Sequence, residues 1–239
     1  MNTSGQAVTA AGRTDVAPRR QVLALLDDAA AGAMALELSS LLAHTLQRNL
    51  GVVYVENTRS LLAAALPFTQ VLSHAGSRWA PLSPQDVEQG FRAHAARLRS
   101  LAESIALRHK VGWNLRVARG CLADVALDLW TESDLLLLAP TPPLASSRLV
   151  ATRDSRRRTV VAAVDDGSEA GARALKVAAE LARSVAGKLE TIALDAASAL
   201  TGADDRLAML AASDVLVLPR PVLPPHALAA LRCQVLLVG

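Results

Sequence analysis

Two pairs of adjacent aspartates, Asp27-Asp28 and Asp165-Asp166, are the carboxylates of this 239-residue sequence whose placement bears on ligand chemistry. Each pair closes a short apolar run and precedes an alanine-rich stretch. A carboxylate at the end of a buried strand either forms and caps the following turn or faces the crevice in which open parallel sheets bind ligands. Other reactive types are scattered. His44, His74, His94, His109 and His226 include no HExxH pair and no His/Cys pair at metal-ligand spacing, so they read as solvated or capping side chains. Cys121 and Cys233 are too few for a disulfide framework and form no CxxC. Cys121 follows Gly120 at an expected helix start, but no histidine adjoins it in sequence and it reads as a buried thiol. There is no Gly-x-Ser-x-Gly elbow and no Walker A loop, since Gly187-Lys188 lacks both the upstream glycine and the following Ser/Thr. With no base, nucleophile or metal set assembled by spacing, the expectation is a protein that is not an enzyme and holds no metal.

Charge narrows the partners. Lys+Arg total 25 and Asp+Glu 22, a net of +3, and only Lys110, Lys176 and Lys188 are lysines. The pI of about 9.3 therefore reflects a small arginine surplus, and no nucleic-acid partner is expected. The short basic cluster Arg153 to Arg158, interrupted by Asp154 and Ser155, reads as a solvated linker. A hydrophobic share of 51% with 20% charged residues describes a globular chain, and 3% aromatics require an aliphatic core of Ala, Leu and Val. Residues 1–18 read as a disordered Ser/Thr/Gly/Ala tail without the apolar core of a secretory signal, and the expected location is cytoplasmic. The uncharged stretch Ser60 to Ser77 is interrupted by Pro67, Thr69, Gln70, Ser73 and His74. It is expected to be an apolar loop and short helix packed on the domain or on a partner, not a membrane span.

The elements that must position the aspartates occur twice. Arg19 to Asp28 (RRQVLALLDD) returns 138 residues later as Arg157 to Asp166 (RRTVVAAVDD). After one inserted residue the match continues at an offset of 139, with Ala31 to Leu38 facing Ala170 to Val177 and Gly51 to Glu56 facing Glu190 to Asp195. Each copy opens with a continuous apolar run, too short for a helix, as suits a strand buried on both faces of a parallel sheet. In the second copy Ser168 is a fitting N-cap with Glu169 in the first turn, and a helix from Ala172 to Ala186 stops at Gly187 before a strand from Leu189 to Leu194. Strand, helix and strand make a right-handed βαβ unit. The first copy adds a helix from Ser83-Pro84 to about Lys110 closed by Gly112, an alternating strand from Val111 to Val117, a helix from Leu122 to Trp130, and the buried strand Ser133 to Leu138. That strand repeats as Ser213 to Leu218 at an offset of 80, so the second copy is shorter by 59 residues, the span of the long helix and the alternating strand.

A strand ending in Val-Asp-Asp-Gly-Ser-Glu, an Ala-Arg-Ala-Leu helix, a second strand and a later Ser-Asp-Leu-Leu-Leu-Leu strand resemble the universal stress protein family, and Leu231 to Val238 is similar to its closing strand. The resemblance covers Arg19 to about Pro140 and, in reduced form, Arg157 to Gly239. It implies an α/β fold of two open parallel-sheet βαβ units of the adenine nucleotide alpha hydrolase-like type, the second truncated, paired within the chain as a pseudo-dimer. The expected domains are 19–150 and 159–239, joined by a linker at 151–158. ATP-binding members carry Gly-x2-Gly-x9-Gly-(Ser/Thr) after the fourth strand, where backbone N–H groups approach phosphate closely. Here the corresponding segments, Ala139 to Ser147 and Pro219 to Pro225, contain no glycine, and their prolines remove donors. ATP or AMP is therefore disfavoured and no cofactor is expected. The resemblance does place the acidic residue ending the first strand and the backbone of the second strand, Asp27 and Val53 in the first copy and Asp165 and Ile192 in the second, at the border of an adenine-ribose crevice. Two functions follow as expectations: a stress-related or regulatory scaffold acting through a protein partner or self-association, or a sensor of an adenine nucleotide or other small ligand at Asp27 and Val53, with residues 60–77 as a lid. The closing strand at Val235 to Val238 is expected to leave an edge for homo-oligomeric pairing.

Overall fold

The computed structural model describes residues 21–73, 78–139, 158–193, 213–220 and 233–239. The expected tail, most of the linker and most of both glycine-free segments lie outside these residues. The elements in chain order are β1 (Gln21–Leu26), α1 (Ala29–Thr45), β2 (Asn49–Asn57), α2 (Thr58–Ala64), β3 (Gln70–Ser73), β4 (Arg78–Pro81), α3 (Pro84–His109), β5 (Trp113–Gly120) and α4 (Leu122–Asp128). A 3-10 turn (Leu129–Thr131) leads to β6 (Leu135–Ala139), followed by β7 (Val160–Asp165), α5 (Glu169–Ser184), β8 (Lys188–Ala193), β9 (Val215–Pro219) and β10 (Gln234–Val238).

The apolar runs form one α/β sheet of eight strands in the order β5-β2-β1-β6-β10-β9-β7-β8. Two parallel halves meet along a single antiparallel seam, where Val235 to Val238 of β10 face Leu138 to Leu135 of β6. The two units thus share a continuous sheet and do not form two separate ones. The halves have matching registers: Val22 faces Leu50 and Leu135 in the first, and Val161 faces Leu189 and Val215 in the second. The seam corrects one expectation. β10 has β6 on one side and β9 on the other, so the closing strand is interior and the sheet edges are β5 and β8. A run as apolar as Val-Leu-Leu-Val stabilises the fold best with neighbours on both sides and both faces covered, whereas edge strands carry polar and charged side chains. The edge strand β8 (KLETIA) carries Lys188 and Glu190, paired at 2.8 Å.

Apolar side chains fill both faces of the sheet. One core joins Val22, Ala24, Leu26, Leu50, Val52 and Tyr54 to α1, α3 and α5, and the other joins Leu23, Leu25, Val53 and Val55 to Val125, Ala126 and Leu129. Close approach of α1 depends on Gly32, where a Cβ would lie 3.1 Å from Leu98 of α3 and 3.2 Å from Leu26 of β1. Ser168 caps α5 by accepting a hydrogen bond from Gly171 N at 2.9 Å, as the sequence indicates, though the helix begins at Glu169. The helix-stop glycines act differently from expectation. The left-handed residues are Lys110 (φ 56°) and Ala186 (φ 50°), while Gly187 is needed because a Cβ there would lie 2.5 Å from the carbonyl oxygen of Thr159. The apolar segment beginning at Ser60 contributes most of α2 and the strand β3, which pairs with β4 in a separate two-stranded ribbon. Among the described residues no helix is long and apolar enough to cross a membrane.

Candidate functional site at the carboxyl ends of the first parallel half

β1 and β2 run in parallel with Leu26 opposite Tyr54, so their carboxyl ends open at the same level. Asp27 and Asp28 follow β1 there, and the carbonyl of Asp28 accepts the Gly32 N–H in the first turn of α1. At the end of β2, Asn57 caps α2 by accepting from Arg59 N at 3.0 Å. α3 is fixed above both by a capping box in which Ser83 and Asp86 exchange hydrogen bonds with each other's backbone N–H. Its face toward the sheet carries Val87, Phe91 and His94, and the ring of Phe91 meets Tyr54 edge-on at 6.5 Å and 74°.

These elements enclose a crevice of about 360 Å³ lined by Asp27, Asp28, Tyr54, Asn57 and Ser60 from the strand ends and α2, and by Val87, Gly90, Phe91 and His94 from α3. His94 Nδ1 stands 4.0 Å from Asp28 Oδ1 across the opening. Tyr54 is buried, and its phenol is pushed up to about 12 by that burial first and then by the nearby Glu56, Asp28 and Asp27 carboxylates. It is therefore a neutral hydrogen-bond donor at physiological pH. Glu56 is held by Arg119 at 2.7 Å, which takes that arginine's charge up in a salt bridge. Gly90 is in the interior of α3, where glycine weakens a helix, yet a Cβ there would meet nothing within 4 Å. Packing within the chain does not call for a glycine at this position. It leaves one wall of the crevice flat.

Of the four residues singled out by resemblance, only Asp27 lines this crevice. Val53 has its side chain fully buried in the opposite core, against the α4 side of the sheet, and Tyr54 takes the second-strand place in the crevice wall. Period-two alternation along β2 separates these neighbours. Asp165 is a turn former: its carboxylate accepts the Gly167 N–H at 3.0 Å at the end of β7. Ile192 packs partly buried against the core on the Val53 side. Neither lines the crevice, nor a further cavity at the opposite ends of the strands among Arg158, Arg183 and Leu189. The α3 contribution is what sequence reasoning missed. Val87 and Phe91 stand on the helix's apolar stripe, and Gly90 and His94 lie three residues beyond each of them, so the period that marked the core face also carried the site residues.

Among the described residues no three His, Cys, Asp or Glu side chains gather to hold a metal ion. No protein-family model matches the chain, and no curated protein matches it significantly.

Proposed function

We propose that this is a non-enzymatic regulatory protein of universal-stress type whose first unit senses a small hydroxyl-bearing ligand, neutral or cationic, of about nucleoside size. The carrying observation is the crevice itself. It sits at the carboxyl ends of parallel strands, where this class of sheet binds ligands, and its volume lies at the small end of the range for ligand sites. Its lining offers acceptors at Asp27, Asp28 and Asn57, a neutral donor at Tyr54, and an apolar wall of Val87 and Phe91 for a flat ring.

The same lining argues against phosphate. Two carboxylates face one histidine, so a triphosphate would meet like charge where a glycine loop and a cation are needed. The lack of glycine in the segments after β6 and β9 agrees with a ligand that carries no phosphate, and it does not require the site to be lost. For that reason the ligand reading is preferred to the pure scaffold. The test is isothermal titration of the full chain with adenosine, AMP and ATP, together with mass spectrometry of small molecules released from natively purified protein. Binding in the order adenosine, AMP, ATP supports the reading. Tighter binding of ATP than of adenosine, or no released molecule and no binding of any of the three, would overturn it.

A further inference from the structure

The segment that leaves the crevice carries large apolar side chains into solvent. Leu62 of α2 is 68% exposed, Leu66 63%, Phe68 96% and Trp79 66%. Two hydrogen bonds tie the described parts of this segment together: Thr69 Oγ1 donates to the Ala63 carbonyl at 2.7 Å, and Leu82 N donates to the Thr69 carbonyl at 3.0 Å, which joins the turn after α2 to the base of the β3-β4 ribbon. In the ribbon Val71 faces Ala80 and Leu72 faces Trp79, so Val71 and Trp79 stand on opposite faces, and Val71 is also 44% exposed. An isolated two-stranded ribbon has little stability of its own, and apolar exposure on this scale marks an interaction surface.

Charge and shape indicate what the surface meets. Between Glu56 and Asp86 the sequence contains two arginines, Arg59 and Arg78, and no Asp or Glu. Leucine and aromatic side chains flanked by arginine, without carboxylates, match the chemistry of the boundary between acyl chains and anionic headgroups. A protein groove would cover one face of the ribbon and leave the other in water. A projection that is apolar on both faces is fully covered only when it is immersed. We propose that α2 and the β3-β4 ribbon form a wedge that inserts shallowly into an anionic lipid surface, making this a peripheral membrane protein.

The experiment uses the full chain with vesicles of phosphatidylcholine alone and of phosphatidylcholine containing about a third phosphatidylglycerol. The wild type should sediment with the anionic vesicles, and raised salt should release it. Phe68→Ser with Trp79→Ser should weaken this partition at least tenfold, and Arg59→Gln with Arg78→Gln by about thirtyfold. Because Phe68, Trp79 and Arg59 are exposed, circular dichroism should be unchanged. A second readout uses brominated acyl chains, which should quench tryptophan emission in the wild type and much less in Trp79→Phe, where Trp113 and Trp130 remain. Failure to sediment with either vesicle at low salt would overturn the proposal. So would partition that the Phe68/Trp79 variant leaves unchanged, or a wild-type oligomer that this variant dissociates without any vesicle association, which would assign the surface to a second copy.

Discussion

The guanidinium carbon of Arg220 lies 5.1 Å from the ring centroid of Trp130, and through this pair the second parallel half grips the first. Arg220 follows β9, and its two terminal nitrogens donate to the carbonyls of Trp130 and Ser133 just before β6. Its own N–H donates to Val238, and Gly239 N donates to Asp134, each at 2.9 Å, so both sides of the β6-β10 seam are bound near one point. Burial lowers the arginine's pKa, with Asp134 opposing that shift. Arg220→Ala should therefore lower stability by about 2–4 kcal/mol, because two charge-assisted hydrogen bonds and a stacked cation are lost together. Arg220→Lys should recover only a minor part, since an ammonium cannot span two carbonyls and stack in the same geometry. Urea unfolding at constant slope checks this, and a loss for Arg220→Ala under about 0.5 kcal/mol would show that the seam holds without the clamp.

Gly90 separates stability from ligand binding. Gly90→Ala should stabilise the protein by about 0.5–1 kcal/mol, since a Cβ meets no neighbour and the helix gains propensity. Gly90→Leu should remain folded but lose ligand affinity by at least tenfold, because the larger side chain projects into the crevice. Thermal unfolding and titration calorimetry on the same two variants provide the comparison. Equal affinity in the Leu variant would mean that the ligand binds elsewhere.

The two sequence-related aspartates should behave differently. Asp27→Ala should reduce ligand affinity at least tenfold, as expected for a crevice carboxylate. Asp165→Ala should leave affinity unchanged and lower stability by about 0.5–1 kcal/mol, the cost of a turn hydrogen bond at Gly167. Parallel calorimetry and denaturation of both variants decide the assignment, which fails if the two lose affinity equally.

Alkaline stability should report Tyr54. The chain holds a single tyrosine, so the tyrosinate absorbance titrates this residue alone. Burial holds the phenol protonated up to about 12 in the folded protein, above the ordinary tyrosine value of about 10. Between those values the folded state binds more protons than the unfolded state, so the contribution is complete below pH 10 and falls away as pH rises through 12. Its full size is about 2–3 kcal/mol. Tyr54→Phe should show a shallower loss of stability across that range. An absorbance midpoint near 10 in the folded protein would contradict the buried placement.

Much of the scaffold was legible because strand burial leaves a direct record in composition. The runs at 22–26, 135–139 and 215–219 are apolar throughout because both faces of each strand are covered, and Ser168 followed by Glu169 marks a helix start by chemistry that involves only neighbours in sequence. The site was legible in part. Asp27 could be found because it ends such a run. Tyr54 could not be separated from Val53, since both stand in a strand without alternation and only the packed layers decide which face each joins. Gly90 and His94 were hidden because a helical stripe reads as core whether it touches the sheet or walls a crevice.

What the sequence determined by itself is therefore local and periodic: most strands of the eight-stranded sheet, the principal helices, the Ser168 cap, and two strand-helix-strand segments whose first strands run into paired aspartates. These follow from burial patterns and from hydrogen bonds between near neighbours. Tertiary structure alone decided that the halves join edge to edge through β10, that Asp27 faces a crevice while Asp165 closes a turn, and that α3 completes the site. Each of those outcomes depends on contacts between residues far apart in the chain, and the apolar character of a residue does not specify which distant partner will cover it.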